Sequence, residues 1–281
     1  MVRVGIALGG GGAKGVAHVV VLEALDEVGL RPVCVTGCSI GAILGGLYCS
    51  GISGRELRER ISAMSGTGPV RDLLAGKHLF PWLDFIAPQL RGPGLLKSEA
   101  ILSHLFDAVP AQTFEELAIP LRVVAADFWS REEVVLDRGP LLPAIQASMS
   151  LPGMFAPVIM GERVLVDGGA VNPVPFDLLP ADCTLTIAVD VIGERTHAEG
   201  EGPSLSEAIF NTFQIMEKSI IRGKLRAARP EIYLNMEVTG VRVLEFHKAG
   251  EVLAQAERVK EGFKREVEAR VRAREGRGVA E

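Results

Sequence analysis

Three short stretches hold the residue types that chemistry needs. The first is Leu8-Gly9-Gly10-Gly11-Gly12-Ala13-Lys14-Gly15, between a strand-like run and a helix-like run. Glycines there let successive backbone N–H groups face an anion, or a developing negative charge, at a helix N-terminus. Gly10, Gly12 and Gly15 also fit the GxGxxG spacing of dinucleotide sites. However, the next strand ends Val35-Thr36-Gly37, with no acid to hold a ribose. A phosphate-binding P-loop fits worse: Ala13 stands where glycine is required, and Gly15 where serine or threonine is. The second stretch is Gly37-Cys38-Ser39-Ile40-Gly41, a GxSxG between strand and helix. Its glycines permit the sharp turn that lifts a serine hydroxyl clear of the backbone, and the helix behind it favours negative charge. The third is Asp167-Gly168-Gly169, directly after the strand-like Val164-Leu165-Val166. An aspartate at a strand's C-terminal end stands where ligands bind in open α/β sheets. Taken alone it reads as a turn residue bonded to its own backbone.

Together the three make one mechanism. Ser39 would be the nucleophile, Asp167 its base, and the glycine loop the source of N–H donors to a tetrahedral oxyanion. An exposed aspartate titrates near ~3.9 and is a weak base at neutral pH, so the scheme needs Asp167 partly desolvated.

Such residues need a rigid frame. Residues 2–8 read as a buried strand, and 13–28 as a helix with Val16, Val20, Leu22 and Leu25 on its apolar side and Gly29 as its stop. Residues 32–36 read as a second strand and 40–49 as a buried helix. This alternation predicts an α/β fold, a central and mostly parallel sheet flanked by helices. Further strands are expected at 121–126, 133–136, 163–167 and 184–191. A long helix is expected over 204–226, with Leu205, Ile209, Phe213, Met216 and Ile220 along its apolar side. A charged helix follows over 248–274 and reads as a solvated face. Residues 65–93 mix Gly, Pro and large apolar groups, which suits either an irregular connection or a cap over a site. No internal repeat or linker stands out, so one domain over 1–281 is expected.

Composition removes other functions. With 48% hydrophobic and 23% charged residues, the chain is an ordinary folded protein. A net charge of −5 argues against a nucleic-acid partner. Cys34, Cys38, Cys49 and Cys183 have no CxxC spacing and the five histidines are scattered, so neither a metal site nor a disulfide framework is expected. The charge-free stretches 33–52 and 139–161 are broken by glycines and prolines, which suits core and site loops rather than membrane spans. A soluble, cytoplasmic protein is expected, with Leu79 to Ile86 as the apolar segment for transient contact with a membrane surface.

The ordered triple resembles the patatin-like phospholipases, in their bacterial cytosolic branch. Their pattern is a GGGx(R/K)G loop, a GxSxG elbow and a DG(G/A) motif; here these are residues 10–15, 37–41 and 167–169. Residues 147–157, Ala-Ser-Met-Ser-Leu-Pro-Gly-Met-Phe-Ala-Pro, are similar to the family's segment before the aspartate, and Ala125-Ala126-Asp127 to an internal strand end. The resemblance runs over roughly residues 4–255. It implies a three-layer architecture, a Ser39–Asp167 dyad without histidine, and an oxyanion hole at Gly10, Gly11 and Gly12. It also implies hydrolysis of acyl esters of lipids, phospholipid or lysophospholipid, without a cofactor. Lys14, Gly15, Gly37, Gly41, Gly168 and Gly169 would support the motifs. Lys14 stands where arginine is commoner, keeping charge but losing the planar fork; it would orient the loop or pair with a phosphate. Phe128-Trp129-Ser130-Arg131 departs from the usual polar turn. His18 reads as a packed histidine. Two other readings compete: a Ser–Asp–His esterase using His197 or His247, and a lipid-binding module without catalysis.

Overall fold

The computed structural model describes residues 2–66, 102, 105–106, 109, 111–193 and 205–276. The segment from Leu79 to Ile86, most of the candidate cap, and His197 lie outside the described residues. Eight strands form one sheet: β1 Val4–Leu8, β2 Cys34–Cys38, β3 Leu121–Asp127, β4 Glu133–Leu136, β5 Val158–Met160, β6 Arg163–Asp167, β7 Leu185–Asp190 and β8 Ile232–Asn235. Their order is β5-β6-β3-β2-β1-β7-β8, with β4 beside β3. β1, β2, β3, β7 and β8 run parallel. β4, β5 and β6 add an antiparallel end. The described helices are α1 His18–Glu27, α2 Ile40–Cys49, α3 Gly54–Gly66, α4 Leu141–Ser148, α5 Leu205–Ala227 and α6 Ala249–Glu275.

The central strands are covered on both faces, as strands of a parallel sheet must be. Ile6 and Leu8 of β1 and Ile187 and Val189 of β7 join one core with α1, α2 and α6. Ala7 and Ala188, one residue out of phase, face the other way and pack with Phe176, Ile192 and Ile221 of α5. This is the mostly parallel, helix-flanked sheet expected, in three layers.

One register decides where the site forms. Cys38 of β2 pairs with Val124 of β3, and Asp167 of β6 pairs with the next residue, Ala125. β4 occupies the opposite edge of β3, across Val123–Ala126. β2 and β6 therefore share one edge of β3, running toward each other and ending head to head. The residue after β2 and the last residue of β6 must meet.

Several local expectations are corrected. The helix expected over 13–28 divides into a 3-10 turn, Gly12–Ala17, and α1. α4 forms inside a stretch read as loops, because Pro140 is its N-cap and Pro143 falls in its first turn, where no intrahelical N–H is needed. α3, β5 and β8 are present where no element was expected. The apolar side assigned to α5 holds only in part: Phe213 lines the cavity, whereas Ile209 and Met216 are about half exposed, at 48% and 51%. Its inward side runs Phe210, Gln214, Glu217, Ile221, mixing polar with apolar because it borders a cavity. Nor is α6 only a solvated face. Val252, Ala256, Phe263 and Val267 are buried, and Lys260 bridges Glu23 (2.8 Å) and Glu27 (2.6 Å) of α1. No described helix is long and apolar enough to cross a membrane.

Candidate active site

Ser39 sits at the corner between β2 and α2 with φ 53° and ψ −120°, a region that non-glycine residues avoid. The corner is held from three sides. The Ser39 N–H donates to Ser148 Oγ (2.9 Å), and Ser148 Oγ donates to Val124 O (2.5 Å). The Ser39 carbonyl accepts from Ala42 and Ile43, the first bonds of α2. The backbone is packed so closely that a Cβ on Gly41 would strike the Leu8 carbonyl oxygen. Strain of this kind persists only where the surroundings over-determine it. Ser148, whose hydroxyl buttresses the corner, lies in the 147–157 segment that the resemblance covers, but the spacing gives it no role of its own.

Asp167 ends β6 and is buried, at 3% exposure. Oδ2 accepts from Ser39 Oγ at 2.7 Å, and Oδ1 accepts from the Gly169 N–H at 2.8 Å. Both bonds favour the carboxylate, but desolvation outweighs them and pushes the group up to about 6. A carboxylate in that range is a competent base at neutral pH while remaining mostly ionised there. We expect kcat/KM for an uncharged ester to fall about tenfold per pH unit below pH about 6 and to be level above it. A pH series on a p-nitrophenyl acyl ester reads this directly, and a profile flat down to pH 4.5 would exclude an ionised Asp167 from the reaction.

The glycine loop packs beside this pair, and its amides divide into two sets. Gly9 donates to Val189 O (3.0 Å), Gly10 to Pro173 O (2.9 Å) and Ala13 to Val243 O (2.7 Å). Gly10 thus ties the loop to the residues following Asp167, and its amide, expected among the oxyanion donors, is instead committed to a backbone carbonyl. Gly11 and Gly12 line the cavity that holds Ser39 and Asp167. Gly12 has φ +59°, and a Cβ there would collide with the Val243 carbonyl, so only glycine fits. Lys14 is buried, and its Nζ donates to Ile192 O at 2.8 Å, anchoring the loop to the chain after β7. His18 is fully buried with Nε2 2.8 Å from Gly9 O. A carbonyl only accepts, so Nε2 carries the proton; burial pushes the ring down to about 4 and it stays neutral. It packs under the loop and does not reach Asp167's bonded oxygens. Gly37, Gly15 and Gly168 are all close-approach positions, against Ala42 backbone, the Ile40 side chain and Val124 O respectively. His247 is exposed on the 3-10 turn before α6. Asp127 closes the β3–β4 turn by accepting from the Trp129 and Ser130 amides, and leaves Phe128 and Trp129 exposed as an edge-to-face pair.

The cavity over Ser39 has a volume of about 160 Å³. Its wall is mainly aliphatic and aromatic, with Ile43, Leu44, Leu47, Phe155 and Phe210 among its members. Arg60 of α3 is the cation on that wall among the described residues, and Gln214 and Glu217 of α5 are further polar members. Those α5 residues were missed because the sequence pattern put the helix's apolar stripe inward.

The patatin-like phospholipase family model matches residues 6–180. An uncharacterized NTE family protein of Mycobacterium tuberculosis is 36% identical over 194 residues, 69% of this chain and 50% of the relative. A patatin-like phospholipase domain-containing protein of Caenorhabditis elegans is 33% identical over 208 residues, 72% of this chain and 15% of the relative. The lysophospholipase NTE1 of Cryptococcus neoformans is 27% identical over 215 residues, 75% of this chain and 13% of the relative. The chain spans about half the length of the mycobacterial relative and a small part of the other two. Among solved structures, VipD from Legionella pneumophila shares the fold, with a TM-score of 0.50 at 12% identity, covering 93% of this chain and 67% of that one. On the ordered glycine loop, elbow and aspartate motif, and on the family match over most of the chain, this protein belongs to the patatin-like phospholipase family.

Proposed function

We propose that this protein hydrolyses carboxylic esters of lipids, with Ser39 and Asp167 as a catalytic dyad. The observation that carries this reading is the 2.7 Å hydrogen bond from Ser39 Oγ to Asp167 Oδ2, at the wall of an apolar cavity. Ser39 Oγ attacks the ester carbonyl carbon while its proton passes to Asp167 Oδ2. The carbonyl oxygen becomes an oxyanion held by the Gly11 and Gly12 N–H groups. The intermediate collapses, the C–O bond to the alcohol breaks, and Asp167 returns the proton to the departing alkoxide. Water then attacks the acyl-serine, again giving its proton to Asp167, and releases the fatty acid and the free serine. The aliphatic wall suits an acyl chain, and Arg60 on it suits an anionic head group, so a phospholipid or lysophospholipid is the substrate proposed. The lysophospholipase name of the fungal relative supports the same class.

Labelling with a fluorophosphonate probe tests this directly. Covalent adduct on Ser39, with loss of p-nitrophenyl ester hydrolysis in step, is the expected outcome; a folded protein that neither labels nor hydrolyses would be a lipid-binding module. The triad reading has less support, since Asp167 already accepts from Ser39 with no imidazole between them. Replacing His247 with alanine should change kcat by less than about threefold, against losses of about 100-fold or more for a true general base.

A further inference from the structure

Gln214 and Glu217 take no part in the reaction derived above. They stand one turn apart on α5 and both line the cavity. Both lie beyond residues 6–180, the part that the family model matches. Gln214 Nε2 is buried and has no hydrogen-bond partner among the described residues. Glu217 is 5% exposed. Its Oε1 lies over Gly169, where a Cβ would collide with it. A Cβ placed on Gly10 would stand 3.6 Å from that oxygen and 3.5 Å from Ser39 Cβ. The carboxyl is therefore about one small group away from the nucleophile. The charged groups that bear on it are two acids, Asp167 and Asp190. Burial and these like charges push Glu217 well above the ordinary carboxylate range, which favours the protonated carboxyl, a hydrogen-bond donor.

An amide N–H and a carboxyl O–H facing a mostly apolar cavity are costly unless a ligand brings oxygen to them. The acyl half of a lipid ester is hydrocarbon beyond its carbonyl. The alcohol half is where further oxygens are found. We propose that Gln214 and Glu217 form a hydrogen-bonding subsite for the alcohol half of the substrate, selecting esters whose alcohol carries a free hydroxyl next to the scissile bond. Such a hydroxyl accepts from Gln214 Nε2 and from the Glu217 carboxyl, whereas a plain alkyl alcohol leaves both unpaired. The assignment rests on the hydrolase reading above.

The test is the ratio of kcat/KM for 1-monolauroylglycerol to that for ethyl laurate, each corrected with the Ser39→Ala protein. A ratio taken on one preparation does not depend on how much of it is folded. The wild-type protein should favour the glycerol ester by about tenfold or more, and Gln214→Met and Glu217→Leu should each lower the ratio about tenfold. Glu217→Gln, which keeps a donor, should hold the ratio within about threefold of wild type. If Glu217→Leu fails to fold, the near-isosteric Gln214→Met and Glu217→Gln proteins still decide the matter. A wild-type protein that hydrolyses both esters without preference, or variants that keep the wild-type ratio, would overturn the subsite alone. The absence of Ser39-dependent hydrolysis of any ester would overturn the hydrolase reading and the subsite with it.

Discussion

Replacing Ser39 with alanine should lower kcat for an acyl ester by about 10,000-fold or more, down to the assay background. In the proposed mechanism the hydroxyl supplies the bond-forming atom, and among the described residues nothing else within reach of Asp167 Oδ2 replaces it; the nearby Cys38 thiol is 4.0 Å from the other oxygen, Oδ1, and burial favours its protonated form. The fold should survive. Among the described residues the Ser39 side chain makes one hydrogen bond, and the corner is held by backbone groups and by Ser148. A second substitution separates chemistry from strain. Ser39→Gly is equally inactive, but glycine tolerates φ 53°. It should be more stable than Ser39→Ala by about 1–2 kcal/mol, read as a shift in the denaturant midpoint. Equal stabilities would mean that the elbow stores no strain.

The second large effect is at Asp167. Asp167→Asn should lower kcat by about 1,000- to 10,000-fold, because the amide cannot take the serine proton. The same substitution should stabilise the protein at neutral pH. The aspartate's folded value, about 6, lies above its ordinary 3.8. Between those values the unfolded chain is ionised while the folded one stays protonated. Ionisation therefore weakens the fold progressively as pH rises through this window, and fully above it. A rise of about two pH units corresponds to about 3 kcal/mol, so Asp167→Asn should melt about 5 °C higher at pH 8. The gain should shrink as pH falls and vanish near pH 4. Asparagine keeps the Oδ1 acceptor for Gly169, so the geometry is preserved. A variant that is inactive yet no more stable at pH 8 than at pH 4 would show that the buried charge is not the reason for the shift. A buried carboxylate held at the expense of stability is a trade that active sites commonly make.

Much of this could be read from residue types and spacing, and the reason is local. A strand ending in glycines and followed by a helix is a short-range pattern. The glycine loop, the elbow and the aspartate turn each occupy a few consecutive residues whose backbone demands show in the residues themselves. Gly41 and Gly12 are glycine because a Cβ would strike a carbonyl, and both were picked out from motif spacing alone. The buried helix 40–49 was readable for the same reason: it is apolar on every side. The face of α5 was not, since its outward side carries Ile209, Ile215 and Met216 while Gln214 and Glu217 point inward, and a hydrophobic stripe is a reliable guide only when the thing it faces is solid core. α4 was hidden because proline reads as a breaker without knowledge of where a helix starts.

Position 39 and position 167 are 128 residues apart, and their types are all that the chain itself declares about them. That they share a proton follows from β2 and β6 meeting end to end along one edge of β3, a consequence of strand pairing at long range. The same packing takes Asp167 out of water and so sets its proton affinity, and commits the Gly10 amide to Pro173 while Gly11 and Gly12 line the cavity. Local patterns specify which backbone shapes and reactive groups exist. Distances, desolvation and the choice of partner for each amide arise only when distant segments pack, because each depends on atoms that are not neighbours in the chain.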